Sequence, residues 1–251
     1  MKYILTCIGI AICLLSVSAQ ESGRLIKTYH GSELSLGSDQ AIPGIFGHDK
    51  RGYYSYSYDY RPGIVFLDNE LNEQKRNHID LFDGLHGRDL IGLVHFHDSI
   101  YLFTTTTKFR SKQLFVETIN KRTLMNNGDR RMLMDVPNIA GWESEFGYRL
   151  SRQQNKLLVY SRLDALSKNI QDVQLQMYGR GFKREWEAGE KILYPQRPPR
   201  SSIIKISEEG DVYFVSLLDD QNLRSIWDGI KNRYHLIAVT EEGQFVNTYS
   251  L

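Results

Sequence analysis

The stretch Ile100-Tyr101-Leu102-Phe103-Thr104 decides the fold, because it does not stand alone. Three others share its form: Tyr53-Tyr54-Ser55-Tyr56-Ser57, Leu157-Leu158-Val159-Tyr160-Ser161 and Val212-Tyr213-Phe214-Val215-Ser216. Each is a short run dominated by aromatic and aliphatic residues and closed by Ser or Thr. They recur about every 50 residues, and self-similarity at a fixed period is the first property to settle in any chain. An apolar stretch precedes each copy: Ile42 to Phe46, Leu90 to Phe96, Phe146 to Leu150, Ile203 to Ile206. A polar turn joins that stretch to the copy: HDKRG, HDS, SRQQNK and SEEGD. Beyond each copy come a third apolar segment (GIVFL, QLFVET, VQLQM, YHLIAV) and a fourth (NHIDLF, RMLMDV, KILY, FVNTYSL). Short strands separated by turn signals at close spacing predict an all-β chain of four-stranded meanders.

A four-stranded unit repeating every ~40–60 residues resembles the blade of a β-propeller. One blade cannot bury both its faces, whereas stacking blades about an axis does so. The resemblance is to divergent exported bacterial β-propeller repeat proteins and covers residues 41–251. Blades are expected at about 41–82, 89–136, 145–194 and 202–251. It rests on period and strand count. No Trp-Asp blade ending, kelch Gly-Gly pair or sialidase Ser-x-Asp-x-Gly-x-Thr-Trp box is present. Four blades is the low end for propellers. The segment RLIKTYHGSELSL, inside 20–40, could close the ring as an outer strand, or a second copy could complete it as a homo-oligomer. A β-sandwich or irregular β-domain is the alternative.

Residues 1–19 read as a signal peptide: Lys2, an apolar run from Tyr3 to Leu15, then Ser16-Val17-Ser18-Ala19. The run is shorter than the roughly 20 apolar residues of a membrane span. A periplasmic or secreted mature chain is expected, with no membrane insertion after cleavage. Both cysteines, Cys7 and Cys13, lie in that segment, so a mature chain would have neither disulfide nor thiolate chemistry. A net charge of +1 gives no footprint for nucleic acid. No cofactor and no metal site is expected.

Among candidate sites, His95-x-His97 with Asp98 offers two imidazoles, fewer ligands than most metal centres use. His97-Asp98 aligns with His48-Asp49 of the first unit, and both read as a polar turn between first and second strands. His95 lies within an inner strand, where a side chain facing the channel could bind an ion or ligand and one turned inward would be hydrogen-bonded inside the ring. Tyr60, Arg61, Arg88, Arg110, Trp142, Arg197 and Arg200 recur on the opposite loops. So does Trp227, on the helix-patterned segment LRSIWDGIKNRY. Arg with Trp and Tyr is the composition recognition surfaces favour. Gly179-x-Gly181 lacks the setting of a dinucleotide motif, and no nucleophile elbow is present. The expectation is a non-enzymatic module recognising a protein, peptide or glycan on one rim. The alternative is an extracellular hydrolase or lyase at the channel mouth, with His86, His95 and Glu143 as its acid–base candidates.

Overall fold

The computed structural model describes residues 44–58, 61–83, 86–140, 142–165, 170–193, 202–218, 233–243 and 245–250. The signal segment, residues 20–40, Tyr60, Arg197, Arg200 and the Trp227 segment lie outside the described residues. Four antiparallel sheets of four strands follow one another along the chain. The first holds β1 (Ile45–Asp49), β2 (Gly52–Tyr58), β3 (Pro62–Leu67) and β4 (Glu73–His78). A two-stranded hairpin, β5 (Phe82–Asp83) and β6 (His86–Gly87), leads to the second sheet. That sheet holds β7 (Asp89–Phe96), β8 (Ser99–Thr107), β9 (Ser111–Ile119) and β10 (Arg131–Pro137). The third is β11 (Trp142–Leu150), β12 (Leu157–Ala165), β13 (Ile170–Gly179) and β14 (Lys183–Leu193). The fourth is β15 (Ser202–Ile206), β16 (Val212–Leu218), β17 (Arg233–Val239) and β18 (Phe245–Ser250). One 3-10 turn, Arg180–Phe182, links β13 to β14. Among the described residues no helix is long and apolar enough to cross a membrane.

The sheets are stacked as blades, and β8 shows why. Side chains alternate across a strand, so Ile100 and Leu102 face one way and Tyr101 and Phe103 the other. Ile100 and Leu102 join Tyr54 and Ile64 of the first sheet in one core. Tyr101 and Phe103 join Phe146, Leu157, Val159 and Phe182 of the third sheet in another. β12 repeats the pattern, because Leu158 and Tyr160 pack with Val212, Phe214 and Ile237 of the fourth sheet. Both middle sheets are therefore covered on both faces. A sandwich sheet packs one face inward and leaves the other to solvent, so the sandwich alternative does not describe this chain.

Two first-sheet segments differ from expectation. β1 begins at Ile45, so the stretch from Ile42 covers only its first residues. The fourth strand is Glu73–His78, EQKRNH, where NHIDLF was expected. An outer strand pairs on one side only and meets solvent, so β4 carries no apolar signal. Its register comes instead from pairing with β3, Gly63 opposite His78 and Val65 opposite Arg76. Successive innermost strands approach closely. A Cβ on Gly47 of β1 would lie 2.1 Å from the Cβ of His95 on β7, so this crossing requires glycine. The Tyr148 hydroxyl on β11 donates to Leu93 O on β7 at 2.8 Å and joins the second and third sheets.

Candidate functional site at the ends of two inner strands

The His-Asp pairs do not occupy equivalent places. In the first sheet the two-residue turn is Lys50-Arg51, closed by Asp49 opposite Gly52. His48 and Asp49 are thus the last residues of β1. In the second sheet the turn is His97-Asp98, closed by Phe96 opposite Ser99. The alignment of the two dipeptides is corrected by two residues. His97 takes φ 51, a left-handed value at the first turn position, where two-residue hairpin loops favour glycine or a small polar residue.

This offset turns Asp49 into the hub of a polar cluster. Its Oδ2 accepts from Lys121 Nζ at 2.9 Å and from the Tyr54 hydroxyl at 2.9 Å. Arg51 reaches the same carboxylate with its backbone N–H (2.9 Å) and its guanidinium (3.0 Å), and the guanidinium also donates to the Tyr54 oxygen. Lys121 belongs to the loop between β9 and β10. Its ammonium also donates to His95 Nε2 at 3.3 Å and to Asp98 O at 3.3 Å. The His95 ring stacks on Tyr54 with centroids 5.7 Å apart. An ammonium has no lone pair, so Nε2 is the acceptor and the ring proton sits on Nδ1.

The surroundings set the charges. Burial raises the Asp49 carboxyl pKa, but the bonds from Arg51, Lys121 and Tyr54 outweigh burial and hold it well below the usual range. Burial, then the Asp49 carboxylate, push the Tyr54 phenol well above its ordinary value. His95 is 8% exposed, and burial followed by the Lys121 charge lowers its pKa below the ordinary 6.5. Above that value the site therefore holds a neutral imidazole, an ammonium and a locked carboxylate in one row. Among the described residues no group of three or more His, Cys, Asp and Glu is placed to hold a metal.

His86 and Glu143 do not join His95. His86 is exposed on β6, just before β7 begins at Asp89. The six steps from there to His95 span about 20 Å at ~3.3 Å per residue. Glu143 is the second residue of β11 and pairs with Asp164, at the end away from the β11–β12 turn. Arg61 and Arg110 are exposed and Trp142 is half-buried. Arg88, expected on the rim, lies inside the protein at 7% exposure. Its guanidinium pairs with the buried Glu117 at 3.3 Å and donates to Asp80 O at 2.6 Å. Such a guanidinium ties the connection after β4 to the second sheet and is not free for a partner. Sequence reasoning missed Asp49, Tyr54 and Lys121. Asp49 looked like a turn residue, Tyr54 was read only as strand, and Lys121 meets them from a loop 67 residues beyond Tyr54 in sequence (121 − 54).

No family model matches the chain, and no curated protein sequence matches it. Solved structures do. One is an endo-arabinase from Bacteroides thetaiotaomicron VPI-5482, at 12% identity, covering 85% of this chain and 82% of that one, with a TM-score of 0.41. Another is an endo-1,4-beta-xylanase from the same organism, at 9% identity, 83% and 74% coverage and a TM-score of 0.40. Likeness at this level transfers neither residues nor substrate. Both names are those of enzymes, where a non-enzymatic binding module was expected.

Proposed function

We propose that this chain is an exported enzyme that cleaves an extracellular polymer by hydrolysis, with His95 as its base. The observation behind this reading is the hydrogen-bonded row Asp49–Lys121–His95 at the ends of β1 and β7. A general base must be unprotonated at working pH and within reach of the proton it takes. His95 is held neutral, and its Nε2 carries the lone pair that Lys121 now occupies. When substrate draws the ammonium away, that lone pair accepts a proton from water. Lys121, drawn to the leaving oxygen, stabilises the negative charge that develops there as its bond breaks and gives it a proton, while the hydroxide formed from the water joins the attacked carbon. Asp49 is a positioning residue. Its carboxylate fixes Lys121 from one side while Tyr54 packs beneath His95. The apolar run from Tyr3 to Leu15 and the small residues that end at Ala19 support export to the periplasm or beyond.

The test is turnover of arabinan, xylan, polygalacturonate and alginate by residues 20–251, read as new reducing ends. Hydrolysis of at least one polymer is expected. His95→Gln should reduce it by about 100-fold or more, and His97→Gln should leave it intact. Turnover that survives His95→Gln, or a panel left uncleaved, overturns the reading. Unsaturated product ends would replace hydrolysis with elimination.

A further inference from the structure

A cavity of about 430 Å³ lies between the first and second sheets, at the end opposite His95. Its walls come from the β2–β3 loop, the connection after β4 and the β5–β6 hairpin, and its size falls within the range of ligand pockets. Phe82 on this wall is 58% exposed, while the neighbouring Ile79 is buried and forms apolar floor. The exposed Arg61 guanidinium has no hydrogen-bond or ion-pair partner among the described residues. Arg88, nearly fully buried, spends its terminal nitrogens on Glu117, Thr104 and Asp80 O, but its Nε–H has no partner. Asp80 Oδ1 accepts the Phe82 N–H at 2.9 Å, which leaves its other oxygen as an acceptor. His78 adds a further polar edge.

An open aromatic face, a free guanidinium and one carboxylate acceptor match a hydroxylated ring that bears a single carboxylate. We propose that this cavity binds a uronic acid residue. The sugar carboxylate lies on the Arg61 fork, which fits it bidentately. The ring face covers Phe82, and a ring hydroxyl donates to Asp80. As a statement about substrate, an acidic polysaccharide, the proposal rests on the hydrolase reading. The cavity is tested by binding alone.

Calorimetric titration of the mature protein with galacturonate and glucuronate, against galactose and glucose, decides it. The acids should saturate, and the neutral sugars should bind at least about tenfold more weakly. Arg61→Gln should remove that difference, and His95→Gln should bind as the parent protein does. Equal binding of neutral and acidic sugars, no saturation by either acid, or uronate affinity unchanged in Arg61→Gln overturns the proposal. A protein that binds uronate but cleaves no polymer keeps the cavity and loses the hydrolase reading. One that cleaves only a neutral polymer and ignores uronate does the reverse.

Discussion

The hairpins joining β1 to β2 and β7 to β8 each carry a His-Asp dipeptide, and each does something different with it. In the first, Asp49 ends its strand and gathers Arg51, Tyr54 and Lys121 around one carboxylate. In the second, Asp98 sits in the turn, exposed, and offers Lys121 only its backbone carbonyl. The two residues of offset come from pairing. Asp49 closes its hairpin opposite Gly52, while Phe96, two residues ahead of Asp98, closes the other. The same side chain therefore faces a neighbouring blade in one case and solvent in the other. Chemical role follows register, and a dipeptide does not specify register.

The comparison can be broken most forcefully at Gly47. Gly47→Ala places a Cβ where His95 already stands, so β1 and β7 must separate. A loss of about 3 kcal/mol is expected in urea unfolding. The corresponding residue of the second hairpin is Val94, already buried against the third sheet, so the intolerance of any side chain belongs to one crossing only. A smaller loss tests the two carboxylates directly. Asp49→Asn leaves Arg51 and Lys121 without their shared anion and should cost about 2 kcal/mol. Asp98→Asn should stay within ~0.5 kcal/mol, as exposed substitutions do. Equal effects would erase the distinction between the hairpins.

pH sharpens the same contrast. Because the Asp49 pKa is lower in the folded protein than in the unfolded chain, its contribution to stability is complete above the unfolded carboxyl value. That contribution fades as pH falls through the folded one. His95 also has a lowered pKa, so acidification below about 6.5 favours the unfolded chain, which binds the proton more readily. The acidic limb of kcat/KM should accordingly lie below the ordinary imidazole value. Asp49 raises the His95 pKa more than Asp98 does, so Asp49→Asn should move that limb to lower pH and Asp98→Asn should move it less. The smallest effect is expected at the turns themselves. His97→Gly relieves a left-handed backbone and should stabilise by about 0.5 kcal/mol, since the strain removed slightly exceeds glycine's entropic cost. Lys50→Gly, where φ is not positive, should destabilise by a similar amount. Chemical denaturation of both variants checks the sign.

Much of the architecture was legible beforehand, for a physical reason. β8 and β12 are covered on both faces, so Ile100 to Phe103 and Leu157 to Tyr160 read as nearly continuous apolar runs. β4 was not legible, because an outer strand of EQKRNH faces water and has nothing apolar to show. Of the site, His95 could be singled out as a polar residue in an inner strand. Its partners could not, since Asp49 carries the sequence signature of a turn and Lys121 sits in a loop of the next sheet. Arg88 misled for the complementary reason. Composition marks an arginine in a connecting loop as surface, and only its buried pairing with Glu117 shows that it belongs to the interior.

By itself, then, the sequence determined that the chain is all-β and made of four repeated meanders, because burial of the second strand of each unit writes itself into local composition. Which polar groups meet was decided only in the tertiary structure. The hairpin registers and the close crossing of β1 over β7 at Gly47 bring Asp49, Tyr54, His95 and Lys121 into one cluster from two sheets. No local pattern encodes that encounter, because the energy that fixes it lies in packing between blades.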